Sequence, residues 1–250
     1  MSLHEPVDAA ERRNELAESL RQVRERIAAA CAAAGRDPAE VRLLPVTKTF
    51  PGTDVALLTD LGLTEFGESR DQEARPKVAE VAELRPGVSA RWHMIGRLQR
   101  NKARSVVRWA DVVESVDSAR LVEALERAVA TARESGQRRE PLQVLVQASI
   151  DGDPARGGCP LPDLPGLAEK IARSSELELR GVMAVAPLGM EPEAAFSALA
   201  EAASRLRSDH PDATEISAGM SGDLEAAIRY GSTCVRVGTA LLGRRALASP

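Results

Sequence analysis

The sequence predicts an α/β protein, a single (β/α)8 barrel of the TIM type with an additional N-terminal helix. Three observations predict it. Eight short apolar runs recur along the 250 residues, and stretches of helical periodicity separate them. No GxGxxG follows the first run, as an open dinucleotide-binding sheet would require. Small, glycine-containing turns instead follow the last two runs, where barrels commonly bind phosphate. One barrel uses about this many residues, so the expected domain is 1–250, with a helix over 8–34 and the barrel over 41–247.

From Asp8 to Ala34, Leu16, Leu20, Val23 and Ile27 recur at helical spacing, and Gly35 stops the helix. The first strand is expected at Val41 to Thr47, and the helix after it at Thr53 to Leu61, ended by Gly62. Further strands are expected at Thr64 to Gly67, Arg91 to Ile95, Val112 to Ser115 and Leu142 to Ser149. The last three are expected at Leu179 to Ala184, Glu215 to Ser217 and Thr233 to Val237. Helices between them include Ser118 to Glu134, with Asp117 and Ser118 as cap candidates, and Asp223 to Tyr230, ended by Gly231. Gly152 to Gly158 reads as a mobile loop.

Composition narrows the function. A hydrophobic fraction of 44% and a charged fraction of 28% are those of an ordinary globular protein. The net charge of −4 provides no bulk field toward nucleic acid or anionic lipid, and aromatics at 2% provide little for a base-stacking platform. Cys31, Cys159 and Cys234 form no CxxC pair and lie near no histidine, so they read as free thiols in a reducing compartment and no metal is expected. The first residues have no apolar signal region, and no segment approaches the roughly 18 apolar residues of a membrane span. A cytoplasmic protein is expected.

Lys48 follows the first strand directly, on the functional face of a barrel. It reads either as a strand-end residue reaching solvent or a carboxylate such as Glu68, or as an amine kept partly neutral by burial that adds to an aldehyde. Ser217, Gly219, Ser221 and Gly222 make a small turn ahead of a helix, which suits either a plain cap by Ser221 or an anion. Gly238 and Thr239 supply a second such turn after the last strand, and the pair favours phosphate. Strand alternation points Arg236 into the barrel near its mouth, where a partner is required.

Other candidates are weaker. His93 reads as a packed core residue rather than a base. Glu65 and Glu68 lack the aromatic surface of a sugar site, so glycoside hydrolysis is set aside. Arg97, Arg100, Arg104 and Arg108 recur at helical spacing and read as a solvated helix face.

Seven blocks taken in order, VTKTFP, FGES, RWHMIGRLQRNK, ESVDS, RGVMAV, SAGMSGDLEAAIRYGST and VRVGTALLG, resemble the pyridoxal phosphate homeostasis proteins, also called the YggS or PROSC family. The resemblance covers nearly the whole chain. It implies a barrel similar to the N-terminal domain of alanine racemase, with pyridoxal 5′-phosphate (PLP) held as a Schiff base on Lys48. It further implies a phosphate cradle from Ser217, Ser221, Gly238 and Thr239 with Gly219 in its turn, Arg236 facing the pyridine nitrogen, and Met183 near the ring. Ser69 stands where the family usually has the asparagine of GENY, and Ser149 stands near a second missing asparagine.

Two classes of function remain. One is a homeostasis protein that stores, delivers or buffers PLP; the other is a PLP enzyme of the racemase kind, which needs a second base. The chain reaches only to Pro250 and has one tyrosine, Tyr230, so the carrier is expected and an enzyme is not. A Schiff-base aldolase without PLP is a third reading. The expected partners are PLP and PLP-dependent apoenzymes, with no nucleic acid and no membrane, and the expected state is a monomer.

Overall fold

The computed structural model describes residues 9–153 and 155–243. Asp8 and the expected barrel end at 244–247 lie outside the described residues. Helix α1 (Ala9–Ala33) buries Leu16, Leu20, Val23 and Ile27 as their spacing predicts. The chain then alternates β1 (Arg42–Pro45), α2 (Gly52–Asp60), β2 (Glu65–Glu68), α3 (Asp71–Leu84), β3 (Arg91–Met94), α4 (Ala103–Val106), β4 (Val112–Val116) and α5 (Ala119–Glu134). The second half runs β5 (Leu142–Ser149), β6 (Cys159–Pro160), α6 (Leu164–Ala172), β7 (Leu177–Met183), α7 (Pro192–Asp209), β8 (Glu215–Ser217), α8 (Leu224–Arg229), β9 (Cys234–Val237) and α9 (Thr239–Leu242).

Eight strands follow one another in the parallel order β1-β9-β8-β7-β5-β4-β3-β2. The ring closes between β1 and β2 through one bridge, Val46 to Gly67, where the Thr47 N–H donates to Gly67 O at 3.0 Å. The expected barrel with its N-terminal helix is therefore present, with strand limits shifted by at most two residues. The segment Gly152 to Gly158 leads into β6, which pairs with the end of β5 outside the ring. One local expectation needs correction. Ser118 takes the N-cap position of α5, but its hydroxyl donates to Asp117 Oδ1 and caps no helix N–H.

The apolar core lies between the strands and the helices, with Phe66, Leu125, Ile171 and Phe196 among its largest side chains. The barrel interior is different. Apart from the small cluster of Val112, Leu145 and Met183, much of it is polar and paired. Toward the N-terminal end of the strands, Arg42 bridges Glu65 at 3.1 Å and Glu215 at 2.8 Å, while Arg180 reaches Glu178 at 3.0 Å. Arg42, Glu65, Arg180 and Glu215 are half-buried and Glu178 is exposed, and pairing each carboxylate with a guanidinium offsets the cost of withdrawing these charges from water.

Candidate functional site

The C-terminal ends of β1, β2, β3, β7, β8 and β9 converge on a cavity of about 370 Å3. Lys48, Ser69, Met183, Ser221, Arg236, Gly238 and Thr239 all line it. A volume of this size suits a small ligand.

Residues 42 and 44 on β1 share a facing with Cys234 and Arg236 on β9, and Val46 and Lys48 continue that parity to the rim. Of the two readings of Lys48, its exposure agrees with the one that reaches solvent and not with an amine enclosed by burial. Nor does it reach Glu68, whose Oε1 receives hydrogen bonds from Thr47 and Lys77 at 2.6 Å each. Among the described residues, Lys48 has no hydrogen bond or ion pair. Thr49, the next residue, has φ +68°, a left-handed conformation costly for a β-branched side chain.

Two turns form the opposite wall. After β8, Gly219 has φ +92°, and a Cβ there would lie 2.6 Å from Ala227 Cβ, so the turn can pack on α8 only with glycine. Its carbonyl accepts the Arg236 N–H at 2.9 Å, which ties the turn to β9. Met220 N–H is taken by Asp223 Oδ1. Among the described residues, the backbone N–H groups of Ser221, Gly222 and Gly238 have no acceptor, and all three residues line the cavity. Unpaired amides gathered in a concave turn form an anion site. The turn after β3 closes the remaining side, where Gly96 allows a close approach: a Cβ there would lie 2.1 Å from Ser69 O.

Arg236 is 4% exposed and enters the barrel as its alternation predicts. Its Nη1 donates to Ser217 O and Ser217 Oγ at 2.7 Å each, and its Nη2 to Ala184 O at 2.7 Å. The Ser217 hydroxyl lies beneath the cavity and donates onward to Glu114 Oε2 at 2.6 Å. Glu114 Oε1 in turn pairs with His93 Nδ1 at 2.7 Å. Burial works against the Glu114 charge, yet the His93 hydrogen bond, with Arg236 and Ser217, holds the carboxyl below the ordinary range.

The sequence reading of Arg236, Lys48 and the two turns brought together residues that do share one cavity. It missed Glu114, although Val112 and Glu114 alternate inward on β4 and the block ESVDS was on view. It also missed Lys77, which its place in α3 does not mark as special. Ser149 is buried at the β5 end and is not part of the cavity lining. His93 is a core residue, as expected. The arginines at 97, 100, 104 and 108 do not form one helix face, since α4 spans only Ala103–Val106. They line two adjoining concavities that share Asn101, of about 1020 and 490 Å3. All three cysteines are free and buried, and burial pushes the Cys159 thiol up to about 11 and that of Cys234 up to about 12.

A parallel barrel with a rim lysine on its first strand and an inward arginine on its last defines a class: residues 19–246 match the alanine racemase N-terminal domain family. The chain is 51% identical over 250 residues to the pyridoxal phosphate homeostasis protein of Mycobacterium leprae (strain TN), covering 96% of each. It superposes on PipY of Synechococcus elongatus PCC7942, solved with PLP bound, with a TM-score of 0.77 and 33% identity, covering 91% of this chain and 100% of that one. The chain belongs to the pyridoxal phosphate homeostasis protein family, as its seven sequence blocks indicated. Alanine racemase from Corynebacterium glutamicum shares the fold, with a TM-score of 0.65 at 14% identity over 95% of this chain and 64% of the racemase.

Proposed function

We propose that this protein binds PLP in the cavity at the barrel mouth, tethered covalently to Lys48, and serves intracellular PLP homeostasis as a store, carrier or buffer. The observation that carries this reading is the convergence of Lys48, Arg236 and the unpaired amides of two turns on one cavity of about 370 Å3. The residues fit the cofactor. Ser221, Gly222, Gly238 and Thr239 would hold the phosphate, Met183 and Ser69 would border the ring, and Gly219 shapes the turn. Ser217 would contribute by supporting Arg236, because its hydroxyl is already engaged by Arg236 and Glu114.

PLP supplies an aldehyde that condenses with a primary amine. Arg236 only donates hydrogen bonds, so it would keep an acceptor nitrogen opposite it unprotonated and weaken the ring as an electron sink. A racemase-like enzyme needs a second base, and the described cavity lining offers no candidate besides Lys48. Tyr230 lines a separate hollow with Arg42 and Glu215, near the N-terminal ends of the strands. These features favour a carrier over a catalyst. We read the protein as one domain, cytoplasmic, and handing its cofactor to PLP-dependent apoenzymes. No described helix is long and apolar enough to cross a membrane. Closure of the sheet leaves no long strand edge for a second copy, which favours a monomer.

The test is direct. Purified protein given PLP should turn yellow, borohydride should fix the cofactor to Lys48 by mass spectrometry, and Lys48→Ala should abolish the absorbance. A colourless protein that refuses PLP overturns the proposal. Sustained inversion of single-enantiomer amino acids above the rate of free PLP would instead establish an enzyme.

A further inference from the structure

The cofactor reading gives no task to the buried carboxylate of Glu114, which is 1% exposed inside the barrel. A charge held there must be compensated. Its compensation runs in one direction. Arg236 cannot accept a hydrogen bond and an ionised carboxylate cannot donate one, so the Ser217 hydroxyl between them accepts from Arg236 and donates to Glu114. With Ala184 O taking the other guanidinium arm, Arg236 is held at both ends of its fork.

We propose that Glu114 is a positioning residue: through Ser217 it fixes Arg236 toward the cavity and sets the net charge that a bound PLP ring meets. This rests on the PLP reading above. The groups facing Glu114 come from three strands: His93 from β3, Ser217 from β8, and Arg236 with the Cys234 thiol from β9. Beyond His93, Glu65 Oε2 lies 3.8 Å from Nε2, and both atoms are buried without a hydrogen-bond partner. The polar chain therefore extends from the cavity floor toward the ion pairs at the other end of the barrel. The lowered Glu114 carboxyl agrees with a group that stays ionised while Arg236 is held.

The experiment loads wild type, Glu114→Gln, Glu114→Asp and Ser217→Ala with PLP and titrates the bound chromophore's absorbance against pH. Glu114→Gln removes a negative charge behind Arg236, so a proton on the chromophore becomes less favourable and the midpoint should fall by about one pH unit. Glu114→Asp keeps the charge and should bring the midpoint back toward wild type. Ser217→Ala breaks the relay without changing charge and should weaken PLP binding about tenfold, the effect of one charge-assisted hydrogen bond. If Glu114→Gln loses stability while its midpoint stays at the wild-type value, Glu114 is merely structural and the proposal fails. Should the Glu114 variants not fold, wild-type affinity in Ser217→Ala also overturns it. A wild-type protein that takes up no PLP removes the cofactor reading and this proposal together, whereas a normal wild-type chromophore with unmoved variants removes only this proposal.

Discussion

Glu68 is fully buried on β2, and its pairing with Lys77 and Thr47 puts two opposite charges and a hydroxyl out of water just behind the strand that carries Lys48. Lys77 Nζ also donates to Thr47 O at 2.8 Å. Removing one partner strands the other charge, so Lys77→Met should cost about 3–5 kcal/mol, read from urea unfolding of the PLP-free protein. A loss below about 1 kcal/mol would mean that Glu68 finds water or a new partner. Glu114 makes a pH prediction of the opposite kind. Its folded carboxyl titrates below the ordinary value of 4.5, so the stability it contributes is present above 4.5 and lost as pH falls through its lower folded value. The melting temperature of wild type should therefore fall more steeply below pH 4.5 than that of Glu114→Gln.

Turns decide the precision of the site at the scale of elements. Gly219→Ala forces a Cβ to 2.6 Å from Ala227 Cβ at φ +92°, and should cost about 1–3 kcal/mol while displacing the turn that presents Ser221 and Gly222. Thr49→Gly should do the reverse to its own segment, relieving the left-handed strain for a gain of about 1 kcal/mol by thermal unfolding. Strands and most helices were legible in the sequence because alternation and helical spacing are local signals. Arg236 was legible for the same reason. The two-residue β6 was not, because Cys159–Pro160 is too short to show a period. The arginine spacing misled because four side chains can repeat at helical intervals along a turn, a 3-10 segment and a four-residue helix. The chain from His93 to Arg236 joins residues far apart in sequence, which no local pattern reports.

In the molecule as a whole, the ring of strands is unevenly fastened. β5 and β7 pair over six registered positions, whereas β1 and β2 share one bridge, Val46 to Gly67. Native-state hydrogen exchange should find the Thr47 amide among the least protected of the barrel and the β5–β7 ladder among the most. Beside the bridge, the Thr47–Glu68–Lys77 cluster holds the two strands together from the helix side, and Lys48 and Ser69 stand on either side of the same gap at the mouth. A molecule seated between Lys48 and Ser69 would then act as a clasp on a hoop with a single rivet. An empty carrier would spring open more often than a full one, and a protease should cut it sooner. Limited proteolysis with and without PLP should reveal that difference, with Lys77→Met exaggerating it, so the rigidity of the shell would report its cargo.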